Sequence, residues 1–152
     1  ERPRRPLAKI PVLLRAYVPT DANFVFASWL NAFEPHRDPG VARDLYYQEQ
    51  HVLIANLMAA STETRLVAVA PDYPDQILGY LFGVILPVGK VIDWLYVKPI
   101  YRRLGVARAL LTTFGDPREG VAAYTHVPAS PPALIRRLAP GAVYDPYLLV
   151  NR

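Results

Sequence analysis

The stretch Val97-Lys98-Pro99-Ile100-Tyr101-Arg102-Arg103-Leu104-Gly105-Val106-Ala107-Arg108-Ala109-Leu110-Leu111 is where residue types and spacing could do chemistry. A β-like apolar run stops at Pro99, and a tight turn opens straight into a helical pattern with Gly105 and Ala107 in its first turn. The amide hydrogens of a helix's first turn lack an intrahelical acceptor and sit at the positive end of the dipole, so such a start attracts phosphate. Small side chains let an anion come close to the backbone. The segment is neither the Gly-Lys-Ser/Thr phosphate loop nor the dinucleotide G-x-G-x-x-G. Taken alone, Arg-x-x-Gly-x-Ala describes equally well a helix that packs its small residues closely on a sheet. Other chemistries are poorly supplied. The chain has no cysteine, which excludes thiolate nucleophiles, disulfides and thiolate metal sites. Its three histidines, His36, His51 and His126, show no metal-ligand spacing.

The elements that must hold this turn can be read from periodicity. Ile10 to Val18 reads as a strand, and Pro19-Thr20-Asp21 signals a helix start. Phe24, Ala27, Leu30 and Asn31 fall at helical spacing up to Pro35, and after a loop to Gly40 a second helix spans about 41–60. Within it Tyr47, His51, Ile54 and Met58 form a stripe that reads as core. From Thr64 the period turns β-like: Arg65 to Ala70, a turn over Pro71 to Gln76, then Ile77 to Leu86, a hairpin. Val91 to Val97 follows, with Ile92, Trp94 and Tyr96 alternating against Val91, Asp93, Leu95 and Val97. A helix over about 102–113, a strand over 121–127, a short helix over 131–138 and a last strand over 143–150 complete the chain.

The strand, the V-x-P-x-Y lead-in, the R-x-x-G-x-A turn and the following A-L-L helix resemble the acyl-CoA-binding signature of the GNAT superfamily of N-acetyltransferases. Ile77-Leu78-Gly79-Tyr80 is similar to the family's third strand, and the element order β-α-α-β-β-β-α-β-α-β agrees with it over nearly the whole chain. The resemblance implies an α/β (α+β) three-layer fold, with a mixed, mostly antiparallel sheet of about six strands and helices on both faces. It implies acetyl-CoA as co-substrate and no metal. The amides of Arg103, Leu104, Gly105, Val106 and Ala107, after Arg102, would hold the pyrophosphate, with Arg103 and Arg108 adding charge at the rim. The pantetheine arm would add along Leu95, Tyr96 and Val97, and Ser130 stands where the family often contacts CoA.

The reaction so implied is attack of a primary amine on the acetyl thioester, and an amine with a pKa near ~10.4 needs its proton removed. Val91 and Asp93 occupy the fourth-strand positions where the family can place a base, and only Asp93 can serve, as base or as a charge that positions the amine. The family's tyrosine acid falls on Arg137, leaving Tyr144 and Tyr147 as substitutes. Trp29, Tyr46, Tyr47 and His51 are candidates for the acceptor side, and His126 reads as structural. The alternative reading is a CoA-binding or interaction module on the same fold that has lost catalysis.

Composition agrees with one globular domain over all 152 residues, with residues 1–9 a basic arm. Hydrophobic residues make up 52% and charged residues 20%, which excludes a disordered chain. The longest apolar tract, Ile77 to Val88, is too short and too broken to span a membrane, and the start lacks an apolar signal region, so cytoplasm is the expected compartment. The net charge of +4, concentrated in Arg2, Arg4, Arg5 and Lys9, favours a small anionic ligand over nucleic acid. The expected partner is a small-molecule or peptide amine, and a short C-terminal sheet edge leaves room for a homodimer.

Overall fold

The computed structural model describes residues 10–60, 62–114, 121–126 and 139–149. Six strands form one sheet in sequence order: β1 (Leu13–Ala16), β2 (Glu63–Ala70), β3 (Tyr73–Leu86), β4 (Gly89–Val97), β5 (Val121–Tyr124) and β6 (Val143–Tyr144). The first four pair antiparallel, whereas β5 pairs parallel to β4 and β6 parallel to β5. The helices are α1 (Ala22–Phe33), α2 (Arg43–Ala59) and α3 (Val106–Phe114). The expected helix at 131–138 lies outside the described residues, as does the basic arm.

Helices cover both faces, so β3 from Ile77 to Val84 is buried throughout instead of alternating. On one face Val25 and Trp29 of α1 and Ile54 and Leu57 of α2 pack on Val67, Val69, Tyr80, Phe82 and Trp94. A buried polar chain pins α1 to the sheet. The Ser28 hydroxyl donates to the Phe24 carbonyl (2.7 Å), the Tyr80 hydroxyl lies 2.8 Å from Ser28 Oγ, and Trp94 Nε1 donates to Tyr80 (3.1 Å). Burial raises the Tyr80 pKa and keeps the phenol neutral. On the other face Val106, Leu110, Leu111 and Phe114, one stripe of α3, pack on Leu78, Leu81, Ile92, Leu95 and Val97.

Asp21 fixes the entry into α1. Its carboxylate accepts from the Val18 amide (3.0 Å) and from both terminal nitrogens of Arg15 (2.7 and 2.9 Å). Burial opposes its ionisation, but these hydrogen bonds and the Arg15 charge outweigh burial and hold its pKa below the usual carboxylate value. Such a group stabilises the fold above its unfolded pKa, near ~3.9, and that contribution is lost as pH falls through the lower folded value. Asp21→Asn is therefore expected to cost about 1 kcal/mol near neutrality and to lower Tm by roughly 2–4 °C. Thermal melts of both proteins from neutral to strongly acid pH check this: the gap should close on acidification, and a constant gap would assign the effect to packing.

Several expectations need correction. β1 is shorter than Ile10 to Val18, and the hairpin turn is only Pro71-Asp72, since Ala70 already pairs with Tyr73. The buried line of α2 runs through Tyr46, Ile54 and Leu57, whereas His51 is exposed and stacks on Phe26 at 4.1 Å. Both lines pass through Ile54 at helical spacing, so periodicity alone does not separate them. The last strand stops at Tyr144, because Pro146 has no amide hydrogen and the Tyr147 amide turns back onto Asp145 Oδ1 (3.1 Å).

Candidate functional site

β4 leads into the turn that the sequence singles out. After a 3-10 turn over Pro99–Tyr101, Arg102 is extended, and both Arg103 (φ 65°) and Gly105 (φ 88°) are left-handed. α3 therefore begins at Val106, not at 102, and its first capping bond runs from the Ala109 amide to the Gly105 carbonyl (3.0 Å). The amides of Val106, Ala107 and Arg108 precede the first possible intrahelical acceptor. Left-handed residues beside them curl the backbone into a concave nest whose N–H groups suit an anion. Arg102 serves the turn rather than the rim: its Nε donates to the Val97 carbonyl (2.9 Å), with the guanidinium over Tyr96 at 5.8 Å. Arg103 and Arg108 are exposed, and Leu104, Gly105 and Ala107 are half-buried.

The second feature is a splay between β4 and β5. Pairing runs Lys90 with Val121, Val91 with Ala123 and Ile92 with Tyr124, and ends where the Thr125 amide donates to the Ile92 carbonyl (3.0 Å). β4 continues to Val97, so Asp93 to Val97 have β3 on one side and no strand partner on the other among the described residues. That edge, which includes Leu95, Tyr96 and Val97, offers backbone groups to an extended ligand. The splay coincides with a bulge. Phe82 pairs with Trp94 and Gly83 with Ile92, leaving Asp93 as the extra residue. Gly83 is required there, since a Cβ would lie 2.6 Å from the Phe114 ring and 2.8 Å from the Val91 carbonyl. The bulge also breaks the expected alternation: Ile92 packs with Leu95 and Val97 on the α3 side, while Trp94 packs on the α1 side.

At the vertex of the splay Asp93 is fully buried. The Thr125 hydroxyl donates to Asp93 Oδ1 (3.0 Å) and lies 3.0 Å from Nδ1 of the buried His126. The imidazole is walled by aromatic rings, with Phe33 at 4.8 Å, Trp29 at 5.4 Å and Trp94 at 6.1 Å. Trp29 Nε1 is a buried donor with no hydrogen-bond partner. An orphaned donor costs about 1–3 kcal/mol, so the vertex carries an unmet demand for an acceptor atom.

The structure thus brings Asp93 together with Thr125 and His126. Sequence reading passed over Thr125 and took His126 as structural; the available signal was a polar Thr-His pair directly after the apolar strand Val121–Tyr124. Tyr144 is on β6, about 10 Å from β4 at two inter-strand spacings, half-exposed and packed on Tyr124 at 5.4 Å. Ser130 and Arg137 lie outside the described residues. Trp29 faces the vertex, whereas the Tyr46 hydroxyl is spent on the Leu30 carbonyl (2.7 Å) and the Tyr47 hydroxyl on Glu34 (2.8 Å). Among the described residues no cluster of His, Asp or Glu could hold a metal ion, and no helix is long and apolar enough to cross a membrane.

No protein-family model matches the chain, and no curated protein matches it. Solved structures do. A protein from Pyrococcus furiosus described as a "putative acetyl transferase" superposes with a TM-score of 0.57 at 15% identity, over 68% of this chain and 72% of that one. A GNAT family acetyltransferase from Brucella melitensis in complex with acetyl-CoA gives 0.48 at 19% identity, over 68% and 65%. The PaiA N-acetyltransferase from Thermoplasma acidophilum in complex with coenzyme A gives 0.47 at 17%, over 68% and 69%. The six-stranded sheet with its parallel β4–β5 splay, together with the first of these likenesses, shows that the chain shares the α/β fold of that Pyrococcus furiosus protein.

Proposed function

We propose that the protein transfers an acetyl group from acetyl-CoA to a primary amine of a small molecule or peptide. The observation that carries this reading is the left-handed pair Arg103 and Gly105, which opens α3 at the end of β4. Amides there can take the two phosphates of CoA, and the exposed Arg103 and Arg108 add charge at the rim. From that anchor the pantetheine arm runs back along the edge of β4 that has no strand partner among the described residues, past Val97, Tyr96 and Leu95, and delivers its thioester to the vertex at Asp93. The buried Asp93 side chain is the group placed there to position the amine or to accept its proton. Proteins solved with coenzyme A or acetyl-CoA bound are among those the chain is similar to, which supports the thioester as donor.

The test has two arms. CoA at about 100 times its Kd should stabilise the fold by ~2.7 kcal/mol, a rise of roughly 5–10 °C in Tm. With acetyl-CoA present, free thiol should appear when amines are supplied from a panel of alkylamines, arylalkylamines and peptides with free amino groups. Stabilisation without turnover on any amine would leave a CoA-binding module that has lost catalysis. Neither stabilisation nor turnover would remove the reading altogether.

A further inference from the structure

A cleft of about 410 Å³ opens on the α1 side of the sheet, between the start of α1, β1, the start of β3 and the residue that follows β4. Its size is that of a small-molecule site. It is distinct from the vertex at Asp93: the ring of Phe24, one of its walls, packs edge-on against Tyr80 (5.9 Å) and Tyr96 (6.2 Å). Two of the charges that line it are spent on each other, since Arg15 holds Asp21 through hydrogen bonds of 2.7 and 2.9 Å. The other two are Lys98 and Asp75, and among the described residues neither makes an ion pair. Both are held on fixed backbone. The Lys98 amide donates to the Leu78 carbonyl (2.9 Å), its carbonyl accepts from the Tyr101 amide (2.9 Å), and its ammonium sits over the Phe24 ring at 5.0 Å. The β2–β3 register jumps from Val69–Ile77 to Ala70–Tyr73, so Pro74, Asp75 and Gln76 bulge out of the ladder, and Gln76 Nε2 donates to the Tyr101 hydroxyl.

A cation and an anion that line one volume without pairing are complementary to a ligand that carries both charges itself. A simple anion would be set against Asp75, and a simple cation against Lys98. We propose that the cleft binds a small zwitterion, an amino acid, with its carboxylate at Lys98 and its ammonium at Asp75. Phe24 and Ile77 flank the carbon chain, and the exposed Thr20 and Asn23 supply a hydroxyl and an amide for its remaining hydrogen bonds. Arg15 and Asp21 close the cleft as a neutral pair. This site goes beyond acetyl transfer and does not depend on it.

NMR titration of the backbone amides of the full chain, without acetyl-CoA, tests this with leucine, γ-aminobutyrate and ε-aminocaproate as zwitterions. Butyrate, butylammonium and inorganic phosphate are the singly signed controls. The tightest zwitterion is expected to bind with a Kd of about 1–10 mM, to shift the amides of Asn23, Phe24 and Lys98, and to bind at least about fivefold more tightly than any control. Lys98→Gln and Asp75→Asn change side chains at the surface, where substitution spares the fold, and each is expected to weaken that binding by about fivefold. No binding by any of the three zwitterions up to about 50 mM overturns the proposal. Butyrate or phosphate binding as tightly as the zwitterions overturns it in favour of a plain anion site. Affinity unchanged in either variant overturns it as well, because the ligand then does not span both charges. All three outcomes leave acetyl transfer untouched, and absence of acetyl transfer leaves this titration unchanged.

Discussion

Gly105→Val should lower the affinity for CoA at least about 100-fold, which corresponds to ~2.7 kcal/mol, or two lost charge-assisted hydrogen bonds of ~1.5–3 kcal/mol each. The reason is local. Gly105 sits at φ 88° directly before α3, and a β-branched residue there must leave the left-handed region. The turn then rotates, and the amides that follow it no longer converge on one point. The fold itself should lose only about 1–2 kcal/mol, the ordinary cost of a side chain in that region. Gly105→Asn separates the two contributions, because asparagine tolerates a left-handed backbone and yet puts a side chain where the anion must approach. Titration calorimetry of CoA into the three proteins reads both effects. Loss of affinity in both variants is the expected result; unchanged affinity in both would show that the pyrophosphate does not bind at this turn, and the acetyl-transfer reading would lose its anchor.

What could be read from the sequence was what local chemistry decides. The turn from Pro99 to Gly105 announces itself because a proline stop, a glycine and a helical pattern are adjacent residues, and the hairpin around Pro71-Asp72 for the same reason. The site's second half was hidden because it depends on pairing between distant segments. Strict alternation along Val91 to Val97 places Ile92 with Trp94, but the bulge that moves Ile92 to the α3 side arises from the register against Phe82 and Gly83. Thr125 meets its partner only once β5 lies parallel to β4, which brings it beside a carboxylate 32 positions earlier. The apolar run from Val143 likewise looks like a strand until Asp145 and Pro146 divert the backbone.

Asp93→Asn should lower turnover about 100-fold while leaving CoA affinity within about twofold, and it does more than subtract a charge. The substitution is isosteric and buried, so the bulge and its packing survive it. The amide, however, can donate as well as accept. When its NH2 turns toward Thr125, the threonine hydroxyl loses the oxygen it donates to, and the hydrogen bonds that join Thr125 to position 93 and to His126 Nδ1 must rearrange. The variant also has no carboxyl group to take a proton from the amine. Steady-state thiol release measures the effect, and titration calorimetry of CoA shows whether binding is spared. An undiminished rate in Asp93→Asn would remove the carboxylate from the chemistry, leaving it a polar plug for the bulge.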